Sequence, residues 1–114
     1  MTISYEGIGQ TAATMKAAGS LKPGMAVTVT AGDTVGAGSD GALPCGVIVT
    51  AMDGMAAVQL SGLAKVSYDG TAPAAGWAAL ALDGKGAVKA VTTGGMKMLV
   101  LNVDTTAKTA VIRL

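Results

Sequence analysis

Histidine and phenylalanine are absent from this 114-residue chain, and cysteine is present only once, as Cys45. Without histidine the chain lacks the most frequent general base of catalysis and the most frequent transition-metal ligand. A single cysteine allows neither an intrachain disulfide nor the cysteine cluster of a zinc site, and it fits synthesis in a reducing cytoplasm. We therefore expect a protein that is not an enzyme and that holds no metal and no cofactor.

Charge is also scarce, because only 13% of the residues are charged and the net charge is +1. The basic residues are scattered along the sequence, which does not favour binding to nucleic acid or to an anionic membrane surface. No run of about 18 apolar residues is present, so no transmembrane helix is expected. The first residues lack the basic and apolar regions of a secretory signal. Nucleic acid and membranes are thus not expected partners.

Aromatic residues make up only 3% of a chain that is 51% hydrophobic. A core of Val, Leu, Ile and Met must be thin, and a surface with so few charges must expose neutral or apolar area. Trp77 is predicted to be either a core anchor or an interface plug. The methionines are expected to fill gaps in the core, although Met96 and Met98 share a strand face that is a possible interface. Composition therefore predicts a protein that assembles with partners.

Asp-Gly pairs occur four times, each between short apolar runs: Asp40-Gly41, Asp53-Gly54, Asp69-Gly70 and Asp83-Gly84. Asp-Gly is favoured in tight hairpin turns, because Gly adopts positive φ freely and Asp tolerates it. Asp33 and Asp104 stand in similar contexts, so most carboxylates are assigned to turns. The pattern predicts short antiparallel strands joined by Asp-Gly hairpin turns.

Strands are predicted wherever β-branched or apolar residues alternate or run together between turn signals. The expected strands are 11–17, 26–30, 45–52, 55–61, 63–68, 77–82, 87–91, 96–104 and 108–114, with a short strand possible at Val35. A helix over Ala72–Leu82 is the rival interpretation for that segment. Ala31–Leu43 is the longest expected loop, and Met1–Gln10 is expected to be a flexible N-terminal arm. The fold class is all-β, a small antiparallel barrel or sandwich, with residues 11–114 as a single domain.

Few residues invite a catalytic or ligand-binding interpretation. Cys45 has no histidine to activate it and is expected to be a small buried strand residue. Asp33, Ser39 and Asp40 lack the acidic spacing of a calcium loop. The Gly-rich stretches 36–38 and 84–86 lack the Lys-Ser/Thr ending of a phosphate loop. We expect no catalytic residue and no metal ligand.

Several segments, taken together and in order, resemble the small head decoration (capsid cement) proteins of tailed bacteriophages. They are Leu21–Met25, Cys45–Val47, Gly62–Tyr68, Asp69–Pro73, Leu82–Val88, Leu99–Asp104 and the ending Ala110–Leu114. Such proteins are about this long, are rich in Ala, Gly, Thr and Val, and are dominated by β-structure. Many of them finish in a short strand with a basic residue and Leu. The resemblance extends loosely over most of the chain.

The resemblance implies a structural protein of the virion that binds the outside of an assembled capsid and clamps neighbouring capsomers. Its partner would be the major capsid protein, and it would self-associate as a trimer or meet its own copies on the shell. The N-terminal arm commonly contacts the capsid in such proteins, which here suggests Ile3, Tyr5 and Ile8 as contact residues. The protein would be made in the host cytoplasm and reside on the capsid surface.

Two other functional classes remain open. One is another structural module of the virion, such as a tail-tube, head–tail connector or fibre-associated protein. The other is a carbohydrate-binding module, for which Trp77, Tyr5 and Tyr68 are the only candidate aromatic platforms.

Overall fold

A computed structural model describes residues 11–114, and this part of the chain is all-β, as the sequence predicts. Within the described residues the strands, in order, are β1 (Thr11–Ala17), β2 (Ala26–Ala31), β3 (Thr34–Gly36), β4 (Gly46–Met52), β5 (Met55–Ser61), β6 (Leu63–Ser67), β7 (Gly76–Leu82), β8 (Val88–Ala90), β9 (Met96–Asp104) and β10 (Thr109–Arg113). The rival helix over Ala72–Leu82 is wrong, because the segment contains β7 and no helical turn.

The first five strands close into a small barrel in the order β1-β3-β2-β4-β5. Closure depends on β1, which pairs antiparallel with β5 and parallel with β3. The barrel interior is filled by small and β-branched side chains, which suit a narrow barrel: Val27, Val35, Ile48, Ala56 and Val58. The barrel interior is therefore aliphatic, as the composition predicts.

The last five strands form a second sheet, which we call the C-terminal sheet, in the order β6-β10-β9-β7-β8. Its inner face carries the largest cluster of buried side chains, among them Leu80, Leu82 and Ile112. Ala26 and Val47, on the outer wall of the barrel, belong to the same cluster. The C-terminal sheet thus packs against the barrel wall, and the cluster between them is a second core beside the barrel interior.

The passage from the barrel to the C-terminal sheet runs through Gly62, which adopts a φ of 95°. Gln59 of β5 is the one buried polar residue among residues 11–114, and its side chain holds this passage in place. Its side-chain amide donates hydrogen bonds to the carbonyl oxygens of Ser61 at 3.1 Å and Leu63 at 2.9 Å. The amide of Leu114 donates to the carbonyl of Gly62 at 2.8 Å, which ties the end of the chain to the same point.

The Asp-Gly pairs differ in their turns. Asp53-Gly54 is confirmed as a two-residue hairpin turn, with φ of 53° and 76° and Met52 paired with Met55 across it. Asp83-Gly84 also joins paired strands, but in a longer loop in which the Asp83 carboxylate accepts from the amides of Lys85 and Ala87. These two Asp-Gly pairs therefore connect paired strands, as predicted, but only Asp53-Gly54 forms a tight turn.

The hairpin interpretation is wrong for Asp40-Gly41 and Asp69-Gly70, because the strands flanking each pair do not pair with one another. Asp40-Gly41 lies in the segment between β3 and β4, and the amide of Gly41 donates to the carbonyl of Leu82 at 2.8 Å. Asp69-Gly70 begins the connection from β6 to β7, where the Asp69 carboxylate accepts from the Gly70 amide. Both turns serve crossovers between strands that lie apart.

Candidate binding surfaces

The capsid-contact residues predicted from the resemblance, Ile3, Tyr5 and Ile8, lie outside the described residues, as does the whole predicted arm Met1–Gln10. Thr11 opens β1 and pairs with Ser61, two residues before β6 begins at Leu63. The described chain therefore starts next to the passage between the barrel and the C-terminal sheet.

Cys45 lies just before β4 and is partly buried, rather than inside a strand as expected. Burial raises the pKa of its thiol, and a backbone hydrogen bond from Val29 offsets part of this effect. A raised pKa keeps the sulfur protonated at neutral pH, so the site disfavours the thiolate that a nucleophile needs.

The candidate calcium ligands Asp33, Ser39 and Asp40 do not form a binding loop. Within residues 11–114 no three His, Cys, Asp or Glu side chains come close enough together to hold a metal ion. Asp40 instead forms an ion pair with Lys89 of β8. The segment 31–43 is therefore not one free loop: it contains β3 and is tied to the C-terminal sheet. Residues 11–114 contain no helix that could span a membrane.

Trp77 is 61% exposed, so its interpretation as a core anchor is wrong. The reason is the alternation of β7, in which Ala78 and Leu80 face the core while Trp77 faces outward. Tyr68 is buried and cannot offer a ring to a ligand. Trp77 is thus the exposed aromatic side chain of the described residues.

Trp77 belongs to a cross-strand row on the outer face of the C-terminal sheet. Leu99 of β9 pairs with Trp77 on one side and with Arg113 of β10 on the other, and Arg113 in turn pairs with Leu63 of β6. Directly paired residues point to the same face of a sheet. We call these four residues, Leu63, Arg113, Leu99 and Trp77, the Trp77 row.

Cations flank the Trp77 row. Lys65 stands two residues beyond Leu63 on β6, Lys97 two residues before Leu99 on β9, and both are exposed. The carboxylates of the described residues lie at turns, loops and strand ends: Asp33, Asp40, Asp53, Asp69, Asp83 and Asp104. The face around Trp77 therefore combines apolar area with positive charge.

Met96 and Met98 do not form the interface that their spacing suggested. Met98 is buried in the core, and the face it shares with Met96 is the inner one, since Met96 pairs with Leu80. Two other methionines, Met52 and Met55, are exposed at the tip of the β4–β5 hairpin. Sequence patterning identified the strand but could not tell its inner face from its outer one.

A groove of about 410 Å³ lies between the turn Lys22–Met25, strand β6 and the segment 85–87. Its charged lining residues are Lys22, Lys65 and Lys85. Sequence reasoning missed this cluster, since the three lysines are far apart in the chain and nothing in their local sequence links them. Their convergence follows only from the packing of the barrel on the C-terminal sheet.

Residues 11–114 thus carry two candidate binding surfaces, the Trp77 row with its flanking lysines and the lysine-lined groove. Neither brings together a nucleophile, a base and an oxyanion donor. No protein-family model matches the chain, and no curated protein and no solved structure is significantly similar to it.

Proposed function

We propose that this protein is a structural component of a phage virion that binds the outside of the assembled capsid and stabilises it without catalysing a reaction. The observation that supports the proposal is the Trp77 row, in which the exposed Trp77 and Arg113 stand with the half-buried Leu63 and Leu99 on one sheet face. The resemblance of several segments to capsid cement proteins supplies the kind of partner, the major capsid protein.

The Trp77 row has the composition of a protein-binding centre. Tryptophan and arginine are the side chains most often found at energetic centres of interfaces, and both occur in this row. Removing the exposed part of Trp77 from water contributes on the order of 2–4 kcal/mol. A contact of this size is modest alone, but many copies on one lattice stabilise it jointly.

The segment before Thr11 supplies the second contact in this proposal, through Ile3, Tyr5 and Ile8. Because Thr11 pairs with Ser61 beside the start of β6, this segment joins the described chain close to Leu63, the first residue of the row. Row and segment would then engage adjacent parts of the shell. The copies would meet one another as trimers or as neighbours on the shell.

Co-sedimentation with shells of the major capsid protein from the same phage tests the proposal. We expect the wild-type protein to bind and to raise the temperature at which the shells open. The variant Trp77→Ala and a chain lacking residues 1–10 should each bind at least tenfold more weakly. Val29→Ala is the matched control, since Val29 is similarly exposed at 50% but lies on the barrel.

Failure of the wild-type protein to bind shells or to alter their stability would refute the proposal. Rings or tubes formed by the protein alone would instead assign it to the tail or the connector. Full binding by Trp77→Ala would show that the Trp77 row does not contact the shell. The contact would then be assigned to residues 1–10.

Exposure of Trp77 on a sheet face also favours a second candidate, a carbohydrate-binding module, since exposed aromatic rings provide platforms for sugars. The buried position of Tyr68 leaves Trp77 without a described aromatic neighbour on that face. Binding to a glycan array that is lost in Trp77→Ala, with no binding to shells, would select this candidate.

A further inference from the structure

The lysine-lined groove has walls that are fixed by backbone hydrogen bonds. On the barrel side, the amide of Gly24 donates to the carbonyl of Ile48 at 2.8 Å, and the amide of Ala26 donates to the carbonyl of Gly86 at 2.9 Å. On the opposite side, the Asp83 carboxylate accepts from the amides of Lys85 at 2.7 Å and Ala87 at 3.0 Å. The groove is therefore a defined feature of the fold.

Its charge is one-sided. Lys22, Lys65 and Lys85 are exposed, and none of the described residues that line the groove carries a carboxylate. Among residues 11–114 the ion pair is that between Lys89 and Asp40, so none of the three groove lysines is paired within this part of the chain. Ammonium groups gathered in one concave site raise the local potential and attract anions.

The wall formed by β6 is the edge of a sheet. β6 pairs with β10 on one side, whereas among residues 11–114 its other side meets the chain at the bridge between Tyr68 and Val88 and at the hydrogen bond from Gln59 to Leu63. Lys65, Val66 and Ser67, which precede this bridge, line the groove. An edge strand beside a groove is the arrangement to which an extended peptide adds through backbone hydrogen bonds.

The lining disfavours nucleic acid as the anion. Single-stranded nucleic acid binds where bases stack on aromatic rings along a basic path, and the lining of this groove within residues 11–114 contains no aromatic side chain. The net charge of +1 provides no long-range attraction for a polyanion. A peptide that carries carboxylates needs neither aromatic stacking nor long-range attraction. Its backbone would pair with the edge of β6, and its carboxylates would bind the lysines.

We propose that this groove binds an extended acidic segment of a partner protein, with the peptide backbone along β6 and its carboxylates on Lys22, Lys65 and Lys85. The volume of about 410 Å³ accommodates a few residues of such a segment. This binding does not rest on the proposed capsid function and does not use Trp77, although Lys65 also flanks the Trp77 row.

Fluorescence anisotropy with a labelled peptide of alternating glutamate and threonine tests the proposal on the full chain. The same peptide with glutamine in place of glutamate is the uncharged control. We expect the glutamate peptide to bind, the glutamine peptide to bind at least tenfold more weakly, and affinity to fall as salt is raised to about 0.5 M.

The double variant Lys22→Ala/Lys85→Ala should weaken binding by about tenfold, in line with the loss of two partly exposed charge contacts. The double variant Lys16→Ala/Lys97→Ala is the control, since it removes the same charge outside the groove and should leave affinity unchanged. Amide chemical shifts measured by NMR should change for Lys65–Ser67 when the glutamate peptide is added.

Three results would overturn the proposal. The first is no measurable binding of the glutamate peptide at millimolar concentration. The second is an equal loss of affinity in the groove double variant and in the control double variant Lys16→Ala/Lys97→Ala, which would indicate a general charge effect. The third is tighter binding of a single-stranded oligonucleotide that competes with the peptide, which would assign the groove to nucleic acid.

Discussion

Gly46 packs directly against the backbone of Gln59 on the neighbouring strand. A β-carbon added to Gly46 would lie 2.5 Å from the carbonyl oxygen of Gln59 and 2.7 Å from Cγ1 of Val58. Neither neighbour can retreat, because Gln59 is buried and its side chain secures the passage to the C-terminal sheet, while Val58 belongs to the barrel core. Glycine at position 46 is required by space, not by a positive φ.

Gly46→Ala should therefore lower the free energy of unfolding by about 2 kcal/mol or more, as expected for overpacking against a fixed backbone. Urea denaturation monitored by circular dichroism measures the change. Gly32→Ala is the matched control, since nothing lies within 4 Å of an added β-carbon there and Gly32 has no positive φ. Equal stability of the two variants would show that β4 and β5 are less closely packed.

Gln59→Met keeps the side-chain length but removes the donor to the carbonyls of Ser61 and Leu63. We expect a loss of about 1–3 kcal/mol in the free energy of unfolding, because partly buried carbonyls then lose their partner. Thr34→Val, which removes an exposed side-chain hydrogen bond to Gly32, should cost less than about 0.5 kcal/mol. A Gln59→Met variant as stable as Thr34→Val would contradict the anchoring role of Gln59.

Gly70 and Gly84 have positive φ of 73° and 84°, so Val at either position should destabilise the fold by about 1 kcal/mol or more. The structure also ranks the two. An added β-carbon at Gly70 meets nothing within 4 Å, whereas at Gly84 it lies 3.1 Å from the amide nitrogen of Asp40. Thermal unfolding should thus show the larger loss for Gly84→Val, and unchanged melting temperatures in both variants would refute the turn geometry.

Trp77→Ala should change the free energy of unfolding by no more than about 0.5 kcal/mol, because most of the side chain is already in water. Iodide should quench Trp77 fluorescence in the folded protein nearly as well as in urea. A cooperative loss of stability comparable to that of a core truncation would mean that the ring is buried after all.

Cys45 should react slowly with iodoacetamide in the folded protein, since burial raises the pKa of its thiol and lowers the thiolate fraction. Linkage gives the direction in which stability changes with pH. A thiol whose pKa is raised in the folded state contributes stability at pH values below its unfolded-state pKa. That contribution is lost as pH rises through the folded-state value. Alkylation at pH 8.5 as fast as that of an unfolded control in urea would contradict this burial.

Strand positions were predictable from sequence because the apolar and β-branched runs and the breaks at Gly54, Gly62 and Gly84 depend on local chemistry alone. Partner choice was not predictable. The parallel pairing of β1 with β3 and the separation of the strands that flank Asp69-Gly70 are decided by packing between distant segments.

The candidate surfaces were still less accessible to sequence reasoning. A lone tryptophan in a chain without phenylalanine suggests a core position, yet the inward places on β7 are filled by Ala78 and Leu80. The groove lysines come from a turn, a strand and a loop. No periodicity links Lys22, Lys65 and Lys85, so only the three-dimensional arrangement reveals them.

The barrel uses residues 11–61 and the C-terminal sheet uses residues 63–113, so each is contiguous in sequence on its own side of Gly62. During translation the ribosome therefore delivers every barrel strand before any strand of the second sheet. Until that sheet arrives, the outer wall of the nascent barrel at Ala26 and Val47 stands uncovered. Apolar side chains left uncovered in this interval promote aggregation, and slow codons after position 61 would lengthen their exposure.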